Sequence, residues 1–113
     1  VNAAVAQDAA LNDNTAAAPV TTVYDATAPT VLIQGAPAYT NNLSAYTVTF
    51  QFSEVVTGFV VGDIGATNAS VTNFVAVDGD TYTADITPDG NGNITVSVNA
   101  AVAQDAALND NTA

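Results

Sequence analysis

The residues best suited to chemistry in this chain are carboxylates and side-chain amides that cluster in one segment. Residues 104–111 read QDAALNDN, which places Asp105, Asn109, Asp110 and Asn111 close together. Calcium binds six to eight oxygen ligands, which come from carboxylates, amide carbonyls and the backbone. The spacing therefore predicts a calcium-binding loop.

The same segment occurs twice. Residues 1–16 and 98–113 both read VNAAVAQDAALNDNTA, at an offset of 97. Identity over this length indicates a tandem array of near-identical modules, which usually forms an extended rod. The first copy supplies the corresponding candidate ligands Asp8, Asn12, Asp13 and Asn14.

The charge balance excludes several classes of function. The 113 residues include 11 acidic side chains and no Lys, Arg or His, for a net charge of −11. Every carboxylate must therefore face water, a backbone N–H or a metal cation. This balance argues against nucleic acid and anionic membrane as direct partners. Without His, Cys or Lys the chain lacks the usual bases and nucleophiles, so we predict that it is not an enzyme. No apolar run approaches the roughly 20 residues of a membrane span.

Alternating apolar and polar residues predict β-strands along most of the chain. Alternation is clear over 46–52, 82–87 and 94–98. Further predicted strands are Val20–Tyr24, Val31–Gln34 and Ser70–Val77, which are rich in β-branched residues, and another lies near Asp63–Asn68. Asp78-Gly79 marks a hairpin turn. The pattern predicts an all-β antiparallel sandwich of about seven strands. Residues 100–108 are alanine-rich but have no amphipathic stripe, so we predict a long loop there.

The repeat also predicts where modules begin and end. Residues 1–24 would be the end and last strand of a preceding repeat, and 25–29 a linker stiffened by Pro29. Residues 30–113 would be a repeat without its own last strand. Residues 17–24 could fold back onto the same chain, complete a neighbouring chain or belong to a longer covalent array. We favour the last two, because five linker residues hardly allow the strand to reverse onto the sandwich.

Strand order predicts which acids meet, because alternate loops of a sandwich gather at one end. The end that the linker enters collects the seven candidate ligands Asp25, Glu54, Asp63, Asp105, Asn109, Asp110 and Asn111. Like charges so close repel and raise one another's pKa unless a cation lies among them. Three alternatives stay open: Asp63 caps a turn, the two asparagines adopt left-handed turn conformations, and Asp25 stays solvated. Asp89, Asn91 and Asn93 are predicted to form a turn at the opposite end of the sandwich.

Several strings of this sequence resemble bacterial immunoglobulin-like repeats, which fill large secreted adhesins of biofilm-forming bacteria. They are Ala28–Val31, Thr47–Phe59, Asp63–Ile64, Thr81–Ala84, Thr87–Pro88, Gly92–Val96, Asp105 and Asn109–Ala113. The resemblance implies an immunoglobulin-like β-sandwich that serves as an extracellular extender, with calcium stiffening its domain junctions. Neighbouring identical repeats would be its partners. The sequence departs from the family at residues 106–109, where a glycine is expected before the asparagine.

The predicted function is therefore an extender repeat of a bacterial cell-surface or secreted adhesin. Two alternatives remain open at this point. The chain could be a subunit of an extracellular filament joined by donated β-strands. It could instead be a sugar- or ice-binding module that uses outward threonines such as Thr47, Thr49, Thr81 and Thr83.

Overall fold

The computed structural model describes all 113 residues. It contains six β-strands and one turn of 3-10 helix over Val61–Asp63. The strands are β1 (Val31–Gln34), β2 (Tyr46–Phe52), β3 (Ile64–Thr67), β4 (Ala69–Ala76), β5 (Thr81–Pro88) and β6 (Thr95–Val98). No helix is long and apolar enough to cross a membrane.

The strands form two antiparallel sheets, with orders β1-β2-β5-β4 and β3-β6. This confirms the predicted all-β antiparallel sandwich. The four-stranded sheet corresponds to strands A, B, E and D of an immunoglobulin domain, and the other sheet to strands C and F. The hairpin at Asp78-Gly79 joins β4 to β5, as predicted, and residues 100–108 form a loop.

The core lies between the sheets. Alternate residues of β2 and β5 point inward, and Phe50, Ala84 and Ile86 are completely buried. Phe59, from the segment between β2 and β3, fills the centre. Its ring lies 5.1 Å from that of Phe52 and 5.0 Å from that of Tyr82, both edge-on. Such aromatic pairs contribute about 0.5–1.5 kcal/mol each beyond the apolar area they bury.

A glycine allows β1 to end against β2. Gly35 has a φ of 90°, and a Cβ atom there would lie 2.9 Å from the Thr47 carbonyl oxygen. An L side chain would therefore meet both an unfavourable backbone conformation and a steric clash. The chain then enters the long β1–β2 connection.

The strand expected over Val20–Tyr24 is not formed. Residues 17–24 pair with no strand, and the side chains of Val20 and Tyr24 are 93% and 91% exposed. A strand needs a partner edge to satisfy its backbone groups, and this chain provides none where the segment lies. No hydrogen bond joins residues 1–24 to the sandwich. The molecule is accordingly elongated, with extents of 85 × 21 × 20 Å.

Candidate metal centre

The loop that follows β6 is organised around the side-chain amide of Asn111. Its Oδ1 accepts hydrogen bonds from the backbone N–H groups of Val102 and Ala103, both at 2.9 Å. Its Nδ2 donates to the carbonyl oxygens of Asn99 at 3.0 Å and Thr112 at 2.8 Å. Because Asn111 is only 2% exposed, these four bonds satisfy an amide that water hardly reaches.

Asp105 is held as an ionised carboxylate within the same loop. Its Oδ1 accepts from the N–H groups of Ala107 and Asn109, both at 2.9 Å, and its Oδ2 accepts from Asn109 Nδ2 at 3.0 Å. Hydrogen bonding, chiefly from the Asn109 side chain, lowers the pKa of Asp105. The carboxylate is only 3% exposed, so a negative charge is fixed where little water can screen it.

The loop is bound both to the sandwich and to the linker. Gln104 and Thr57 exchange two backbone hydrogen bonds, at 2.8 and 3.0 Å. The Thr112 N–H donates to the Pro29 carbonyl at 3.0 Å, and Asn109 Nδ2 donates to the Asp25 carbonyl at 2.8 Å. The position at which the linker enters the domain is therefore fixed by the loop.

Three carboxylates meet at this point. Asp25, Glu54 and Asp105 each place an oxygen within 4.8 Å of the others. Burial, followed by a side-chain hydrogen bond with Asp105 and by the charges of Asp105 and Asp25, raises the pKa of Glu54. Its Oε1 is buried and accepts no hydrogen bond. The chain has no Lys, Arg or His, so no basic side chain balances these charges. An oxygen-only set with an orphaned carboxylate oxygen fits a calcium ion.

Comparison with known proteins supports the fold assignment. The family described as "Bacterial Ig-like domain" matches residues 25–113, which include every strand and the three clustered acids. The chain belongs to this family. Such Ig-like domains are typically structural, non-enzymatic modules, and they are usually extracellular or surface exposed. No curated protein and no solved structure matches the chain significantly.

The other four predicted ligands of the Ig-like domain have their own hydrogen bonds. Asp63 Oδ2 accepts from the Val60 N–H at 2.9 Å and so caps the 3-10 turn, which was the alternative considered for it. Asp110 Oδ1 accepts from Gln104 Nε2 at 2.9 Å. Asn109 Nδ2 donates to the Asp105 carboxylate and to the Asp25 backbone carbonyl, and Asn111 shapes the loop. The structure therefore brings three of the seven candidates together. Asn109, Asp110 and Asn111 form hydrogen bonds in the loop that holds Asp105, and Asp63 caps the 3-10 turn.

The first copy of the loop folds in the same way without an Ig-like domain to rest on. Asn14 Oδ1 accepts from Val5 and Ala6, and its Nδ2 donates to two carbonyls, as Asn111 does. Asp8 is bonded by Asn12, which lowers the pKa of Asp8, and Gln7 bonds Asp13. The loop shape is thus intrinsic to the sixteen residues, whereas the three-carboxylate cluster requires the linker and the domain.

The sequence did not reveal two roles in this site. Gln104 bridges the loop to the domain through its backbone and to Asp110 through its side chain. Asn111 satisfies four backbone groups at once. No local signal marked the role of Asn111, because three of its four backbone partners lie 8–12 residues away along the chain.

Proposed function

We propose that this chain is an extender repeat of a bacterial cell-surface or secreted adhesin, in which calcium stiffens the junction between linker and domain. The observation that carries the proposal is the meeting of Asp25 with Glu54 and Asp105 within 4.8 Å. Asp25 belongs to the linker, whereas the other two belong to loops of the domain. An ion held by all three would fix the direction in which one repeat leaves the next.

The three residues have distinct roles in this proposal. Asp105 offers a charge that is already ionised and oriented by Asn109. Glu54 offers an oxygen that has no other partner. Asp25 is only partly buried, and its carbonyl already bonds the loop. Calcium would supply positive charge and further coordination sites for backbone or water oxygens. The three carboxylates, which repel one another without an ion, would then all coordinate the same calcium ion.

The extender role follows from the repeat and the shape. Identical junction loops lie at 1–16 and 98–113, so the chain runs from one junction to the next. Its long dimension is 85 Å against a width of about 20 Å. A series of such units spans a long distance, and rigid junctions would make the series a rod that projects a binding region away from the cell.

A calcium titration tests this function. We expect one calcium ion per domain by titration calorimetry. Calcium at one hundred times its dissociation constant would raise the free energy of unfolding by about 2.7 kcal/mol. For a domain of this size that corresponds to a rise of about 10–20 °C in melting temperature.

Two charge-neutralising variants make the test specific. Glu54→Gln removes a proposed ligand with little change in shape, and we expect it to lose most of the calcium response. Asp89→Asn makes the same charge change on an exposed turn at the opposite end of the sandwich, and it should respond like the parent. A melting temperature that is the same in calcium and in chelator would exclude the metal site.

A further inference from the structure

The turn that joins β5 to β6 contains Asn91-Gly92, and Asn91 is the one asparagine of the chain that a glycine follows. In this dipeptide the backbone nitrogen of the glycine can attack the side-chain amide of the asparagine, because no Cβ shields that nitrogen. The two reacting groups belong to adjacent residues, so the attack is intramolecular. Whether it proceeds in a folded protein depends on the contacts that the two residues make.

Hydrogen bonds to Asn68 hold the first part of this turn. The Asn68 carbonyl oxygen accepts from the Asp89 N–H at 2.9 Å. Asn68 Nδ2 donates to the carbonyl oxygens of Gly90 at 3.0 Å and Asn91 at 3.4 Å. Asn68 itself has a φ of 58°, a left-handed conformation in which asparagine is enriched. The turn is therefore fixed to the β3–β4 corner as far as the Asn91 carbonyl.

The groups that would react are free of such contacts. The Gly92 N–H donates no hydrogen bond, and the side-chain amide of Asn91 takes part in none. Both residues are exposed to solvent. Gly92 has a φ of 121°, which lies outside the strand region, so β6 cannot extend back through it. The freedom of its N–H therefore results from the turn itself, and no native hydrogen bond has to break before Gly92 N approaches Asn91 Cγ.

We propose that Asn91 is a site of spontaneous deamidation in the native domain. The Gly92 nitrogen gives its proton to water or hydroxide and forms a bond to Asn91 Cγ. The bond from Cγ to Nδ2 then breaks, and this nitrogen leaves as ammonia with a proton taken from water. The product is a five-membered succinimide ring. Water opens the ring at Cγ to give aspartate, or at the backbone carbonyl to give isoaspartate.

The same turn provides a matched comparison in Asn93. This asparagine is also exposed, and its side chain makes no hydrogen bond. Ile94 follows it, and a β-branched side chain crowds the backbone nitrogen that would have to attack. Ile94 is also half buried against the core, which holds its backbone in place. Deamidation at Asn93 should therefore be much slower than at Asn91.

Deamidation changes both the charge and the backbone of the turn. The net charge of −11 becomes one unit more negative, in a chain that has no basic side chain. Isoaspartate also adds one carbon atom to the main chain, beside the carbonyl that Asn68 holds. Because β2 and β5 are antiparallel, this turn lies at the opposite end of the sandwich from Glu54, so the modification should leave the calcium response unchanged.

Peptide mass spectrometry of the whole chain after incubation at mildly alkaline pH tests the proposal. The chain has no Lys or Arg, so chymotrypsin rather than trypsin releases the peptides. We expect a gain of one mass unit at Asn91 at a rate at least tenfold higher than at Asn93, with isoaspartate among the products. Asn91→Gln should abolish the change at this position, because its side chain would have to close a larger and less favourable ring.

The same measurement in urea separates the effect of the fold from that of the dipeptide. The rate at Asn91 in the native domain should lie within fivefold of the rate in urea, since no native hydrogen bond protects the site. Circular dichroism establishes that the native sample stays folded. Protection greater than fivefold in the native domain, or a rate at Asn91 less than tenfold above that at Asn93, would overturn the proposal.

Discussion

The two copies of the loop allow an unusually well-controlled substitution, because the same asparagine lies in two environments. Asn111→Ala removes an amide that satisfies two N–H groups and two carbonyls and that is 2% exposed. Each such hydrogen bond contributes roughly 1 kcal/mol net, and a buried group left without a partner costs about 1–3 kcal/mol. We therefore expect the free energy of unfolding of the domain to fall by about 3–5 kcal/mol.

Asn14→Ala is the matched control. It deletes the same four hydrogen bonds from a loop that makes none to the sandwich. Water can replace them at this partly exposed site, so we expect less than about 0.5 kcal/mol of change in domain stability. Urea denaturation followed by circular dichroism measures both variants. Equal losses for the two variants would refute the conclusion that the loop stabilises the domain by docking on it.

Two further substitutions test the backbone and the charge cluster. Gly35→Ala should lower the free energy of unfolding by about 1–3 kcal/mol, because residue 35 has a positive φ and a Cβ there would clash. Gly90→Ala is the control and should change the free energy of unfolding little, since a Cβ there meets nothing within 4 Å. Urea denaturation measures both variants. In chelator, the raised pKa of Glu54 means that this carboxyl binds a proton more tightly in the folded protein than in the unfolded chain. The free energy of unfolding should therefore fall as the pH rises above the ordinary glutamate pKa. Glu54→Gln should abolish that decline and melt above the parent at pH 7, and an unchanged pH profile would count against the cluster.

The strands could be read from the sequence because the buried face of each repeats every second residue. The alternation over 46–52 and 82–87 matches the buried faces of β2 and β5. The segment Val20–Tyr24 has the composition of a strand but does not form one. Composition indicates whether a segment favours the strand conformation, whereas strand formation also requires an adjacent strand edge to pair with. No such edge lies beside residues 20–24.

The meeting of Asp25, Glu54 and Asp105 could also be predicted, because it follows from which loops share an end of the sandwich. The roles of Asn109, Asp110 and Asn111 could not. A side-chain amide or carboxylate can face an ion or its own backbone, and the closure of the loop decides between them. In this loop both the oxygen and the nitrogen of the Asn111 amide form hydrogen bonds with backbone groups.

Small-angle scattering from a protein of two tandem repeats tests the central claim most directly. If calcium binds Asp25 together with Glu54 and Asp105, the linker is fixed to the domain that follows it, and the two repeats scatter as one rod. In chelator the three carboxylates repel one another, so the linker should bend and the average maximum dimension should shorten. A maximum dimension and a distance distribution that are the same in calcium and in chelator would contradict the account.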